Sequence, residues 1–230
     1  MNVRSKNAII TFIGTVGVGK STQIRLLKKF LLNNNVKVID SYIKSTQGLA
    51  FLLNKFLILL GVSEKAIMPY GSVQLLPRND LMKKLFPIWR ILDFFSIIFK
   101  FLFTVYLPFL FGFTAIMEEG LMMTEFTYAK VFPRLFGLEK GTLPFVPFLL
   151  GWVMKKPNVT FVLDATDFEL EKRRRKREFR QSELAVFVNL QREFMASLKR
   201  ENIVFIDTTG LNASQVHENV ISALETYEFI

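Results

Sequence analysis

Cysteine is absent from this sequence, and histidine occurs once, at His217. Without thiols there is no disulfide framework and no thiolate metal site, which fits a reducing compartment. A single histidine weighs against a multi-histidine metal centre and against a Ser-His triad. Within SQVHENVISAL, His217 reads as a polar residue on a late surface helix. A secretory signal is not visible either: polar MNVRSKN is followed only by the short run AIITFI before glycines begin. The expected location is the cytoplasm, with membrane association left open by an apolar stretch described below. Acidic residues are the minority charge, 20 against 30 basic, for a net +10. Such an excess suits nucleic acid, an anionic membrane surface or small phosphorylated ligands. The densest basic run, EKRRRKREFR at 171–180, is local and lacks the interleaved aromatics of a nucleic-acid surface. That favours a phosphate clamp, with no nucleic-acid partner. Phenylalanine, by contrast, is abundant: 25 of 230 residues.

The length suits one domain over residues 1–230 with a core of its own. Ala8 to Ile13 reads as a buried parallel strand ending at Gly14, and STQIRLLKKFLL after it as a helix. VKVIDSYI is a second strand and GLAFLLNKFLILLG a second helix, followed by a looser segment with Pro69, Gly71 and Pro77. FTAIM at 113–117 reads as a strand that delivers Glu118 and Glu119 at its C-terminal end, and 120–136 as helical. VTFVL ends at Asp164, VFI ends at Asp207, and helical segments follow both. Five short strands alternating with helices predict an α/β fold around a mostly parallel sheet.

GTVGVGKST at 14–22 fits the pattern G-x-x-x-x-G-K-[ST] in the right setting, with a strand before and a helix after. The residues Gly14, Thr15, Val16, Gly17, Val18, Gly19, Lys20, Ser21 and Thr22 are the candidate ATP site. The glycines let successive N–H groups point inward at phosphate oxygens, and the helix N-terminus adds its positive end. Lys20 would reach the β- and γ-phosphates, and the Ser21 hydroxyl would ligate Mg²⁺. A GTPase is disfavoured: NKFL at 54–57 lacks the Asp of a base-reading N-K-x-D, and no D-x-x-G follows a plausible strand. A small kinase is the simplest fit.

At this point the chain resembles the thymidylate kinase family of nucleoside monophosphate kinases. The resemblance rests on GTVGVGKSTQIRLL, YIKSTQGLAFLLNKFL, LFPIWR, LDATDFELEKRRRKR and VFIDTTG, in that order along nearly the whole chain. It implies a three-layer P-loop kinase fold with a lid at about 171–183, Mg²⁺ with ATP, and a homodimer. It also implies Lys44 near the substrate phosphate, Phe86 and Arg90 at the acceptor base, and Asp207 and Thr208 near the adenine. The implied activity is transfer of the ATP γ-phosphoryl group to a nucleoside monophosphate, with dTMP first.

Phosphoryl transfer needs a cation at the transition state. In this family it comes from the phosphate loop or the lid. The variable loop positions Thr15, Val16, Gly17 and Val18 are not cationic, so the lid is expected to supply it, with Arg173 and Arg177 on one helical face. The alternative is a solvated basic face, or one that meets an anionic surface.

Where the family has D-R-[YFH], this sequence reads EEG at 118–120. Glu118 is a candidate to hold Mg²⁺ through water. Glu119 cannot replace an arginine and would repel an acceptor phosphate. The ATP half of the site is complete and the acceptor half altered. Two other functions therefore stand beside the first: a paralogue with a different acceptor, including a membrane-associated one, and a nucleotide-binding protein without catalysis.

FFSIIFKFLFTVYLPFLFGF at 94–113 contains one charge, Lys100. Its length is that of a membrane span, but Pro108 is expected to break it and a core strand follows. A core or dimer helix, a face on a membrane surface, and a span are the three readings.

Overall fold

The computed structural model describes residues 7–67, 73–138, 141, 143, 145–176, 185–198 and 201–229. Five strands, β1 (Ile9–Gly14), β2 (Val38–Ile43), β5 (Thr114–Glu119), β6 (Asn158–Asp164) and β7 (Ile203–Asp207), form one sheet in the order β2-β5-β1-β6-β7. Every pairing is parallel, with Ile9 opposite Ala115 on one side and Asn158 on the other. The central β1 is buried throughout, as its unbroken apolar run requires of a strand covered on both faces.

Alternation along the strands divides the core into layers. Ile9, Ala115 and Met117 face one cluster, and Ile10, Phe12 and Ile116 face the other. Helices α1 (Lys20–Asn33) and α10 (Ala213–Thr226) cover the second side through Leu27, Leu31, Val220 and Leu224. Asn212 and Gln215 form a capping box that starts α10. His217 lies on α10, half-buried with its ring edge against Phe30 of α1 and away from every site described below. The first side is covered by α3 (Asn79–Phe101) and α5 (Gly120–Phe126), together with α7 (Val146–Met154). The result is the expected three-layer α/β fold. Because all five strands run the same way, Gly14, Ile43, Glu119, Asp164 and Asp207 gather at one edge of the sheet.

Two features differ from the sequence reading. The loose segment after α2 (Gly48–Leu59) contains an antiparallel hairpin, β3 (Ser63–Ile67) with β4 (Val73–Pro77). Pro77 ends β4 opposite Ser63, a strand end where a missing N–H costs little. Pro108 also does not break the long helix. Through a π-helical turn, Leu102–Tyr106, α3 continues into α4 (Leu107–Leu110), and Pro108 falls in the first turn after it. The wider turn relieves the clash that proline makes with the carbonyl four residues back. Thr104 Oγ1 donates to the Lys100 carbonyl at 2.7 Å at the same place. This helix is long and apolar enough to cross a membrane, and 22 % of its most apolar stretch is buried within the chain. Its buried stripe, Met82, Phe86, Trp89, Asp93, Ile97 and Phe101, packs toward the sheet.

Candidate active site

The phosphate loop is built by β1 and α1. A Cβ on Gly14 would sit 2.1 Å from the Leu163 carbonyl oxygen of the neighbouring strand, so only glycine passes there. Gly19 precedes α1 with φ +105°, and among the described residues no side chain caps that helix. The first N–H groups of α1 are left facing outward, as an anion requires. Lys20 is almost wholly buried and donates to the carbonyls of Gly14 at 2.7 Å and Thr15 at 3.2 Å. Loop carbonyls thus hold the ammonium at the mouth of the cradle. Two further bonds fix the loop from behind: Thr15 Oγ1 donates to Asp164 Oδ1 at 3.2 Å. Gln191 Nε2, on α9 (Ala185–Ser197), donates to the Gly14 carbonyl at 3.0 Å.

Across from α1 stands the tip of β5. Ser21 Oγ donates to Glu118 Oε1 at 3.0 Å, and lies 3.2 Å from Oε2. A hydroxyl and a carboxylate beside a phosphate cradle make a hard-oxygen set that fits Mg²⁺, which commonly takes one or two protein oxygens and the rest from phosphates and water. Among the described residues there is no cluster of three or more acidic, His or Cys side chains, so nothing offers an all-protein metal cage. Glu119 follows with φ +66° and ψ −58°, a strained backbone for a residue with a side chain. Gly120 also has positive φ, and a Cβ there would crowd Thr11 at 3.2 Å. Burial pushes the Glu119 carboxyl above its ordinary value; Lys20 opposes the rise, Glu118 adds to it, and Lys44 opposes it. Strain and burial together hold Glu119 beside Lys20.

On the other flank of the loop, α8 (Asp167–Lys176) carries Arg173. Its guanidinium does not reach into the phosphate cradle. Nη1 donates to Thr208 Oγ1 at 2.9 Å and to the Val18 carbonyl at 3.4 Å, Nη2 to the Thr208 carbonyl at 2.7 Å, and Nε pairs with Glu169 at 2.9 Å. Thr208 is fully buried and its N–H donates to the Asp164 carbonyl. Asp207 is exposed and accepts the Thr209 N–H at 2.9 Å; the Thr209 side chain first, and then this N–H, lower its carboxyl below the usual range. Arg173, Thr208 and the loop therefore form one continuous wall. The expected second lid cation, Arg177, and most of the lid after Lys176 lie outside the described residues.

A cavity of about 1430 Å³ begins at Lys20 and Ser21 and runs between α2 and α3. Lys44 lies at its edge, with Nζ 4.9 Å from the Tyr42 ring centre. Lys100 joins it, donating to Gln47 Oε1 at 3.1 Å; burial and then repulsion from Lys44 lower its ammonium below the usual lysine value. Phe86 and Arg90 do not line this cavity. Phe86 is buried among Tyr128 and Phe132, with the Arg90 guanidinium 5.9 Å from its ring centre. Phe86 shares the buried stripe of α3 with Met82 and Trp89, so packing makes the difference: its ring is taken up by Tyr128 and Phe132, while Met82 and Trp89 meet the cavity.

Three residues that organise the site, Asp93 with its partner Tyr128, and Arg192, were not legible as site residues. Asp93 is fully buried and accepts from Thr46 N–H at 2.7 Å, Gln47 N–H at 3.0 Å and Tyr128 Oη at 2.7 Å. It fixes the turn after β2, where Thr46 has φ +60°, and so the loop that carries Lys44. An aspartate inside an apolar helix run was the available signal. Arg192 on α9 clasps Asp164 at 2.8 Å and Asp167 at 2.7 Å, bracing the partner of Thr15.

No family model matches the sequence, and no curated protein does. Solved structures do match. A thymidylate kinase from Candida albicans superposes with TM-score 0.58 at 15% identity, over 98% of this chain and 94% of that one. A thymidylate kinase from Ehrlichia chaffeensis gives TM-score 0.55 at 17% identity, over 96% and 99%. Full-length coverage of both partners at such low identity is a statement about architecture. The fold of this chain is the thymidylate kinase fold.

Proposed function

We propose that this protein is an ATP-dependent phosphotransferase that moves the γ-phosphoryl group of ATP to a phosphate-bearing acceptor. The observation that carries the reading is the facing pair of Ser21 and Glu118 beside Lys20, at the head of one cavity that also reaches Lys44. Loop N–H groups and the α1 terminus bind the donor phosphates, and Arg173 with Thr208 closes the wall on its nucleoside side. Mg²⁺ held through Ser21 and Glu118 would neutralise charge between the β- and γ-phosphates. Lys20 turns from its loop carbonyls to the phosphoryl oxygens and stabilises their charge in flight. An acceptor phosphate needs no general base, so the chain contributes position and charge. Lys44 and Lys100 offer the acceptor phosphate its counter-charge. Arg177 is the proposed lid cation, since Arg173 is committed to Thr208.

The structural likeness makes nucleoside monophosphates, dTMP first, the acceptors to try. ADP release from ATP with a panel of nucleoside monophosphates tests the reading, with Lys20→Ala as control. Turnover that depends on Lys20 supports it. An ATP site that binds, yet turns over with no phosphate-bearing acceptor, would leave a nucleotide-binding protein.

A further inference from the structure

The geometry points to an acceptor with a long apolar chain, a membrane-resident phosphate monoester whose chain lies in the cavity between α2 and α3. This rests on the phosphotransferase reading and narrows its substrate class.

Most charges of the cavity stand at one end. Lys20, Glu118, Glu119, Lys44 and Lys100 gather at the sheet edge with the polar Ser45, Thr46 and Gln47, Lys55 stands apart on α2 at the mouth, and the wall between them is mostly apolar. Leu76, Met82, Trp89, Phe132 and Phe136 form its buried side. The polar groups along that wall are spent on the chain itself. Ser96 Oγ donates to the Leu92 carbonyl and accepts the Leu49 N–H, Asn54 Nδ2 donates to the Leu75 carbonyl, and Thr127 Oγ1 donates to the Met123 carbonyl. Asn54 Oδ1 and Trp89 Nε1 lack partners, but both atoms are sealed inside the wall and offer no edge to the open cavity. A nucleobase needs such an edge, because its buried donors and acceptors cost free energy when unpaired. A chain of methylenes does not.

The mouth continues the same surface outward. Leu49, Phe51, Leu52 and Phe99 line the cavity and are 44, 46, 61 and 55 % exposed. An apolar stripe runs through Ile91, Phe95 and Phe99 of α3 to Phe103 in the π turn after it, at four-residue spacing. Phe56 and Leu59, 56 and 84 % exposed, extend it on α2. An exposed face of this kind marks a docking surface. Charge selects the occupant. The chain carries +10, α2 has no acidic residue, and Lys55 sits 5.3 Å from the Phe51 ring centre within the face. An anionic bilayer attracts a surface that carries Lys55 and, on α2, no acid. The chain of a lipid seated there passes from the cavity into the bilayer without crossing water.

The transfer balances with ATP alone. An oxygen of the lipid phosphate forms the bond to Pγ while the bond from Pγ to the β–γ bridging oxygen breaks. ADP leaves with that electron pair, and the product is a lipid diphosphate.

The test offers the whole protein three acceptors with Mg·ATP: dTMP, methyl monophosphate, and hexadecyl monophosphate in phosphatidylglycerol vesicles. The expected result is ADP release with the hexadecyl ester at least about tenfold faster than with the other two, since each buried methylene adds affinity. A dTMP rate equal to or above the hexadecyl rate overturns the proposal. A second readout needs no turnover: equilibrium binding of a pyrene-labelled long-chain monophosphate, displaced by hexadecyl but not by methyl monophosphate. Leu52→Glu at the mouth should weaken that binding about tenfold or more, with ATP binding retained as the sign of a folded chain. Absence of chain binding overturns the proposal whatever ATP does. Chain binding without ADP release from any acceptor instead overturns the phosphotransferase reading and leaves the chain site standing.

Discussion

Ser21 on α1 and Glu118 at the tip of β5 are 97 residues apart in sequence and meet through a hydroxyl donated to a carboxylate at 3.0 Å. The parallel order β2-β5-β1-β6-β7 makes this contact, because β5 lies beside β1 and ends at the same edge as the phosphate loop. If this pair holds the metal, Glu118→Gln should raise the Mg²⁺ concentration needed for half-maximal turnover by about 10–100-fold, with the fold unchanged. A Mg²⁺ titration of ADP release reads this; an unchanged midpoint would remove Glu118 from the metal.

Arg173 separates two accounts of the lid. Its guanidinium binds Thr208 and the Val18 carbonyl. Arg173→Ala should therefore raise KM for ATP about tenfold and leave kcat within a few-fold, the pattern of lost uniform binding. A fall of kcat by a hundredfold or so at unchanged KM would place Arg173 at the transferring phosphoryl group instead.

Asp93 acts through the loop it holds. Asp93→Asn leaves a poorer acceptor for Thr46, Gln47 and Tyr128. Stability should fall by about 1–3 kcal/mol in denaturant unfolding. KM for the acceptor should rise more than KM for ATP, because Lys44 rides on the loosened turn. Equal effects on both would make Asp93 a purely structural anchor.

Glu119 gives a pH signature. Its carboxyl sits above the ordinary value of 4.5 in the folded chain, with burial the main cause. The folded state thus holds its proton more tightly than the unfolded state, and the stability gained from that is present in acid and lost as pH rises through the folded value. Glu119→Gln does not ionise, so its melting temperature should gain on the parent as pH rises from the unfolded carboxyl value of 4.5 through the raised folded one. A constant difference across that range would mean Glu119 ionises as it does in the unfolded chain. Glu119→Gly should also stabilise, by about 1 kcal/mol, because glycine accepts φ +66° without strain.

How far the site was legible depends on how local its signals are. GTVGVGKST, the strand before it and the helix after it lie in one stretch, and the loop folds as its spacing requires. The strand that delivers Glu118 and Glu119 was legible because FTAIM is short, apolar and followed by charge. The hairpin β3–β4 was not, since Pro69, Gly71 and Pro77 mark turns and edges equally well. Nor was the continuity of α3 into α4, where a π turn absorbs Pro108. The surroundings of Phe86 and Arg90 did not follow from LFPIWR because tertiary packing sets them: the Phe86 ring lies among Tyr128, Phe132 and the Arg90 guanidinium, outside the cavity lining. Asp93, Arg192 and Tyr128 act through contacts 25 to 47 residues away, which no local pattern encodes.

The central claim is that this chain moves a phosphoryl group from ATP. Incubation with γ-labelled ATP, Mg²⁺ and a mixture of nucleoside and long-chain monophosphates tests it most directly. Label should pass into an acceptor diphosphate, and Lys20→Ala should lower the rate by about 10²–10³. Label that stays in ATP, or transfer that Lys20→Ala leaves untouched, would contradict the account.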